Sequence, residues 1–216
     1  VNGGLGAAAY ADSVCAYLAC VLDRMIYYGS SLTSWLPKDN ALRDCMPRQA
    51  LAMTWDFAEG NPLGKSSGDV ITCSNSVSNY LDMASPSTNA FAVQRDAQTM
   101  LSERGACVFS TDPPYYDNIG YADLSDYFYV WLRRSLRPVF PDLFATVAVP
   151  KAEELIASSH RHGSKEKAEA FFLDGMTQAM QRLAEQAHPA FPVTIYYAFK
   201  QTESDDADGT TNTGWD

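Results

Sequence analysis

Residues 106–127 read ACVFSTDPPYYDNIGYADLSDY, and the rest of the chain is best read outward from them. Residues 106–110 (ACVFS) form a short apolar run of the kind expected for a buried strand. Asp112, Pro113, Pro114 and Tyr115 follow it directly. In a parallel α/β sheet, ligands bind in the crevice beyond the carboxyl ends of the strands, so topology alone sets such a loop in a functional place. With each residue type at a usage near 5%, a chain of this size would contain Asp-Pro-Pro-Tyr by chance about once in a thousand.

These residue types suit transfer of a methyl cation to an exocyclic amino group. The lone pair of such a nitrogen is delocalised into its ring, and two hydrogen-bond acceptors are needed to draw it toward tetrahedral geometry. The Asp112 carboxylate and a backbone carbonyl, that of Pro113, can supply both. Two successive prolines fix φ and remove amide donors, which stiffens the turn. Tyr115 offers a flat face for a base extruded from a duplex. Asp-Pro-Pro-Tyr is also ordinary turn chemistry, with Asp112 capping the backbone and Tyr115 packed on a core. The residues beyond it, Tyr116, Asp117, Asn118, Gly120 and Tyr121, followed by Tyr127, Phe128, Tyr129 and Trp131, carry more aromatic rings than a turn requires. Most of those later rings are expected in a core, where large rings are common.

Around this stretch, strand and helix patterns alternate. Residues 89–93 (NAFAV) read as a strand, 97–104 as a helical turn or two, and 125–134 as an aromatic-rich helix. Residues 165–186 place Ala168, Phe172, Met176, Ala179 and Leu183 at helical spacing behind a Ser164 cap. Residues 192–199 (PVTIYYAF) read as a strand. The alternation predicts βαβ units and a mostly parallel α/β sheet with flanking helices.

Further out, residues 7–28 form an amphipathic helix with Val14, Leu18, Val21 and Met25 on one face, ended by Gly29. Residues 35–61 read as loop with one short helical piece, broken by Pro37, Pro47 and Pro62. In residues 61–69 (NPLGKSSGD) the glycine, lysine and serine lack the spacing of a phosphate-binding loop. Residues 71–84 form a second helix with Val77, Tyr80 and Leu81 inward. The expected organisation is a helical and loop lead-in over 1–84, an α/β core over 85–200 and an acidic flexible tail over 201–216.

Composition sets the bounds. The 216 residues suit one domain, and 46% hydrophobic with 19% charged residues excludes a wholly disordered chain. No apolar run of about 18 residues is present, so no membrane partner is expected. The net charge of -10 argues against nucleic acid at first sight, but residues 201–216 contribute five uncompensated acids. Residues 133–167 instead carry seven Lys and Arg against four acids, with His160 and His162. That segment reads as a phosphate contact or as a solvated surface loop. The five cysteines are never spaced as CxxC, so neither a disulfide framework nor a zinc site is indicated. Reduced thiols and the lack of a basic n-region at the start point to the cytoplasm. The first residue is Val1 rather than Met, and part of a longer protein is expected.

The tetrapeptide after an apolar strand resembles the catalytic motif of the S-adenosylmethionine-dependent amino-methyltransferases that methylate adenine or cytosine in DNA. The longer string DPPYYDNIGYADLSDYFYVWLRR is similar to a narrower group, the large adenine-specific DNA methylases of bacteria and archaea with an extra domain ahead of the catalytic fold. Residues 48–62 (RQALAMTWDFAEGNP), 149–157 (VPKAEELIA) and 197–203 (YAFKQTE) also resemble that group. The resemblance implies a Rossmann-like methyltransferase fold, incomplete at its N-terminal side, with S-adenosylmethionine as cofactor and a flipped adenine as substrate. It assigns Asp112, Pro113, Pro114 and Tyr115 to catalysis, with Asp112 also beside the cofactor. Tyr115, Tyr116 and Asn118 would meet the base. Asp96 takes the place of an acidic residue near the cofactor adenine, or simply caps the helical turn behind it.

The pattern departs from the family at one point. A Gly-rich loop after a first strand is expected for the cofactor, and VNGGLGAAAY at residues 1–10 has glycines without a preceding strand. The expected partner is therefore the remainder of a longer methylase chain upstream, with a downstream continuation left open. Two other readings stand beside this one: a methyltransferase directed at RNA or a protein amide, and a non-catalytic module that binds nucleic acid or a partner subunit.

Overall fold

The computed structural model describes residues 4–47, 51, 53–84, 92–100, 105–117 and 119–197. Its fold is mixed α/β, with five helices and two two-stranded sheets among those residues. The chain divides into two units, Val1–Gln94 with Tyr121–Lys151, and Arg95–Gly120 with Ala152–Asp216. No helix among the described residues is long and apolar enough to cross a membrane.

In the first unit, helix α1 (Ala7–Tyr28) closes where the Gly29 amide donates to the Met25 carbonyl at 2.8 Å. Its bounds match the periodicity, and its buried face does so in part, since Val21 and Met25 turn inward as expected. Ala19 and Val21 are buried and Ala16 half-buried, whereas Leu18 is 58% exposed and Val14 also lies outside. The small side chains of Ala16 and Ala19 let bulky groups of another helix approach closely, and packing selects that face over the more apolar one. The groups that approach are those of α3 (Tyr121–Leu136), which is longer at both ends than its aromatic pattern suggests. Ala19, Tyr129, Leu136 and Phe144 form the core cluster, with Ala16, Leu132, Phe140 and Val149 packed against it. Tyr129 and Phe144 hold their rings 5.6 Å apart, and the Tyr129 hydroxyl donates to the Thr146 carbonyl at 2.9 Å. A buried phenol needs such a partner.

Residues 34–43 correct the expectation of loop and helix. Strands β1 (Ser34–Leu36) and β2 (Ala41–Arg43) pair antiparallel with Trp35 opposite Leu42. Pro37 does not break an element here. It opens the connecting turn, in which the Asp39 amide donates to the Leu36 carbonyl and Asn40 takes φ 48°. Asparagine tolerates that left-handed conformation. Helix α2 (Val70–Met83) starts at Asp69, whose carboxylate accepts the Ile71 and Thr72 amides at 2.9 and 3.0 Å. Cys73 is its buried residue, and Tyr80 and Leu81, expected inward, are exposed. Small residues again make the packing face.

In the second unit, β3 (Ser110–Thr111) and β4 (Thr194–Ile195) pair in parallel, Ser110 opposite Thr194 and Thr111 opposite Ile195. A parallel bridge between Cys107 and Ala187 extends the contact backward. The intervening chain includes the short α4 (Ser159–His162) and the 22-residue α5 (Lys165–Gln186). Helix α5 starts where the sequence places it, with the Ser164 hydroxyl accepting the Lys167 amide at 3.2 Å. The strand at 106–110 is neither as long nor as buried as its composition suggests, and Val108 is 63% exposed. A parallel strand is covered on both faces only where neighbouring strands and helices surround it, and a two-stranded pair offers little cover. Of residues 89–93, positions 89–91 lie outside the described residues, and Ala92 and Val93 form no strand. Residues 97–99 make a turn, while 101–104 and 198–199 lie outside the described residues.

Candidate active site

Asp112, Pro113 and Pro114 leave the carboxyl end of β3 and form one rim of a cavity of about 390 Å3 within the second unit. Phe109, Ser110 and Thr111 continue that wall, and α5 supplies the opposite one through Met176, Ala179, Met180 and Leu183. Leu155 packs into the helix at Gly175, where a Cβ would collide with its side chain. Glycine inside a helix costs stability, and here it admits the segment that closes the cavity. The lining is mostly apolar, with Asp112 and Arg182 as its charged members. Size and composition are those of a small-molecule site.

The turn itself is tied together by side chains. The Tyr115 hydroxyl donates to Asp112 Oδ1 at 2.6 Å, and the Tyr115 ring meets that of Tyr197 edge-on at 5.5 Å. Asp112 is exposed and Tyr115 half-buried, so both can be reached from solvent. A carboxylate accepts several hydrogen bonds, and the bond from Tyr115 orients Asp112 while Oδ2 retains its lone pairs. The Pro114 carbonyl accepts the Tyr116 amide at 3.3 Å, whereas no backbone amide among the described residues donates to the Pro113 carbonyl.

Tyr116 points elsewhere. Its hydroxyl donates to Glu169 Oε1 at 2.8 Å and its ring stands edge-on to Phe172 at 5.3 Å. The acceptor carboxylate of Glu169 stabilises the protonated phenol and raises the Tyr116 pKa. Asp96 lies outside the cavity lining and makes an Asx turn, its carboxylate accepting the Gln98 amide at 2.8 Å. Asn118 lies outside the described residues.

No family model, curated protein or solved structure matches the chain. What the site can hold therefore follows from its own walls. Methionine thioethers and leucine suit the faces of a flat heterocycle. Arg182 donates through Nε to the Gln98 carbonyl and through a terminal nitrogen to Glu185, and its guanidinium matches a carboxylate in shape. A purine ring and a carboxylate, both parts of S-adenosylmethionine, thus find fitting groups here. The described residues hold no Gly-rich turn beside a strand for the remainder of that molecule.

Sequence reasoning places Asp112 and Tyr115 together but misses Arg182, Leu155 and Tyr197. It recognises Met176, Ala179 and Leu183 as an apolar stripe, and periodicity alone does not tell a stripe that packs from one that lines a void. The parallel register of β3 and β4 is the available signal for Tyr197, because adjacent parallel strands deliver their carboxyl ends to one crevice.

Proposed function

We propose that this chain belongs to an S-adenosylmethionine-dependent methyltransferase acting on the exocyclic amino group of adenine in DNA, with a Rossmann-like catalytic fold and a cytoplasmic location. One observation carries the reading: Asp112, Pro113 and Pro114 follow the carboxyl end of a parallel strand on the rim of an apolar cavity, with Tyr115 bonded to Asp112. The bound cofactor supplies an electrophilic methyl group. Every other step belongs to groups of the chain itself. Asp112 Oδ2 accepts one N–H of the amino group and the Pro113 carbonyl accepts the other, which directs the nitrogen lone pair outward. Tyr115 keeps the carboxylate in place through Oδ1 and presents its ring to the base. When the nitrogen becomes positively charged, Asp112 is the group positioned to take its proton. Arg182 and the methionines of α5 would hold the carboxylate and ring of the cofactor.

The test is methyl transfer to adenine-containing DNA by the intact protein and its Asp112→Ala variant, with S-adenosylmethionine binding read by calorimetry. Loss of a positioned proton acceptor is expected to lower kcat by on the order of 10²–10⁴ while DNA affinity and thermal stability stay unchanged. DNA binding without transfer by the unsubstituted protein would favour a non-catalytic module. Transfer to RNA or to a protein amide instead would keep the chemistry and change the substrate.

A further inference from the structure

We propose that Tyr116 is a positioning residue, whose left-handed backbone and anchors on α5 hold the Asp112–Tyr115 turn in the geometry that presents Asp112 and the Pro113 carbonyl. The inference deepens the functional reading above and rests on it for the reaction, though not for the anchoring. Tyr116 has φ 45°, a region that bulky residues other than glycine rarely occupy. Such a conformation persists only where its surroundings over-determine it, and it concentrates at functional sites.

The surroundings of Tyr116 do over-determine it. Its amide donates to the Pro114 carbonyl at 3.3 Å and its carbonyl accepts the Ala157 amide at 2.9 Å. Its hydroxyl donates to Glu169 Oε1 at 2.8 Å, and its ring packs edge-on against Phe172 with planes 88° apart. The backbone bonds join the exit of the turn to residue 157, and the side-chain contacts join it to α5. These contacts engage the ring away from the cavity, and Tyr115 is left as the aromatic beside Asp112. A relaxed backbone at position 116 would free the two prolines to rotate as a unit, carrying both acceptors away from the amino group.

Two measurements test the proposal on the unsubstituted protein, Tyr116→Phe, Glu169→Ala and Glu169→Gln. In amide hydrogen exchange, Tyr116→Phe and Glu169→Ala are expected to speed exchange at the Tyr116 and Ala157 amides about tenfold, as fits the loss of one hydrogen bond. Amides of α5 near Phe172 should keep their rates. Glu169→Gln, whose carboxamide oxygen still accepts, should restore the protection. Equal protection in all four proteins would overturn the anchoring. In methyl-transfer kinetics, Tyr116→Phe is expected to lower kcat about tenfold at unchanged KM, the result of misplaced acceptors. A changed KM at constant kcat would overturn the positioning role and return Tyr116 to substrate binding. Absence of transfer by the unsubstituted protein would instead sink the functional reading, and the exchange comparison would still decide the anchoring.

Discussion

Around Tyr129 the apolar side chains of the first unit close on one another, whereas beside Asp112 those of Phe109, Leu155 and α5 stand around a space of about 390 Å3. Both sets combine helix residues with aromatic or branched partners. In the Tyr129 cluster, two rings lie 5.6 Å apart and the buried phenol has its acceptor in the Thr146 carbonyl. Atoms lining the cavity lack partners on one side and lose that dispersion energy. The difference teaches how to separate core from site when both are apolar. A core fills its space, and a site keeps space that only a ligand can fill.

Two substitutions probe that contrast. Phe144→Ala removes a ring from the filled cluster and is expected to cost about 3–5 kcal/mol of unfolding free energy. Denaturant titration reads it, and a loss under about 1 kcal/mol would show that the cluster is not packed. Leu183→Ala enlarges a space that already exists, so its cost should fall at or below about 2 kcal/mol, the low end for such truncations. Equal losses at the two positions would erase the contrast.

The smallest effect concerns pH. Asp23 lies on the side of α1 that carries Ala16 and Ala19, and its Oδ1 is buried with no hydrogen-bond partner among the described residues. Burial pushes its pKa from an ordinary 3.8 to about 6. The folded state then binds a proton that the unfolded state has lost, so stability falls as pH rises from 3.8 to about 6 and stays lower above that. Asp23→Asn should flatten this slope and raise the unfolding temperature at neutral pH. An unaltered pH profile would mean that Asp23 is hydrated.

Helix α5 is fully legible in the sequence, because its start depends on a local bond from Ser164 and its extent on side chains three and four apart. The bounds of α1 are legible for the same reason. Its buried face is legible only in part, since Val21 is covered as its spacing suggests while the apolar Val14 and Leu18 are exposed and Ala19 is covered instead. The hairpin at residues 34–43 is hidden by Pro37, which reads as a breaker but serves equally as the first residue of a turn. Residues 106–110, which lead into β3, carry the composition of a buried strand, yet composition cannot count the neighbours that would bury it.

Asp112 and Tyr115 stand out by type and spacing, and the hydrogen bond between them spans only three residues. Tyr116 looks equivalent to Tyr115 in the sequence. Its left-handed backbone and its bond to Glu169, 53 positions away, separate the two roles. By itself the sequence determined the local features: helix lengths, caps, and a stiff acidic turn after an apolar run. Tertiary structure alone decided which apolar face is covered, which apolar stripe lines a cavity, and which tyrosine is anchored to α5. Local features depend on bonds within a few residues, whereas burial depends on groups that the chain brings together from far apart.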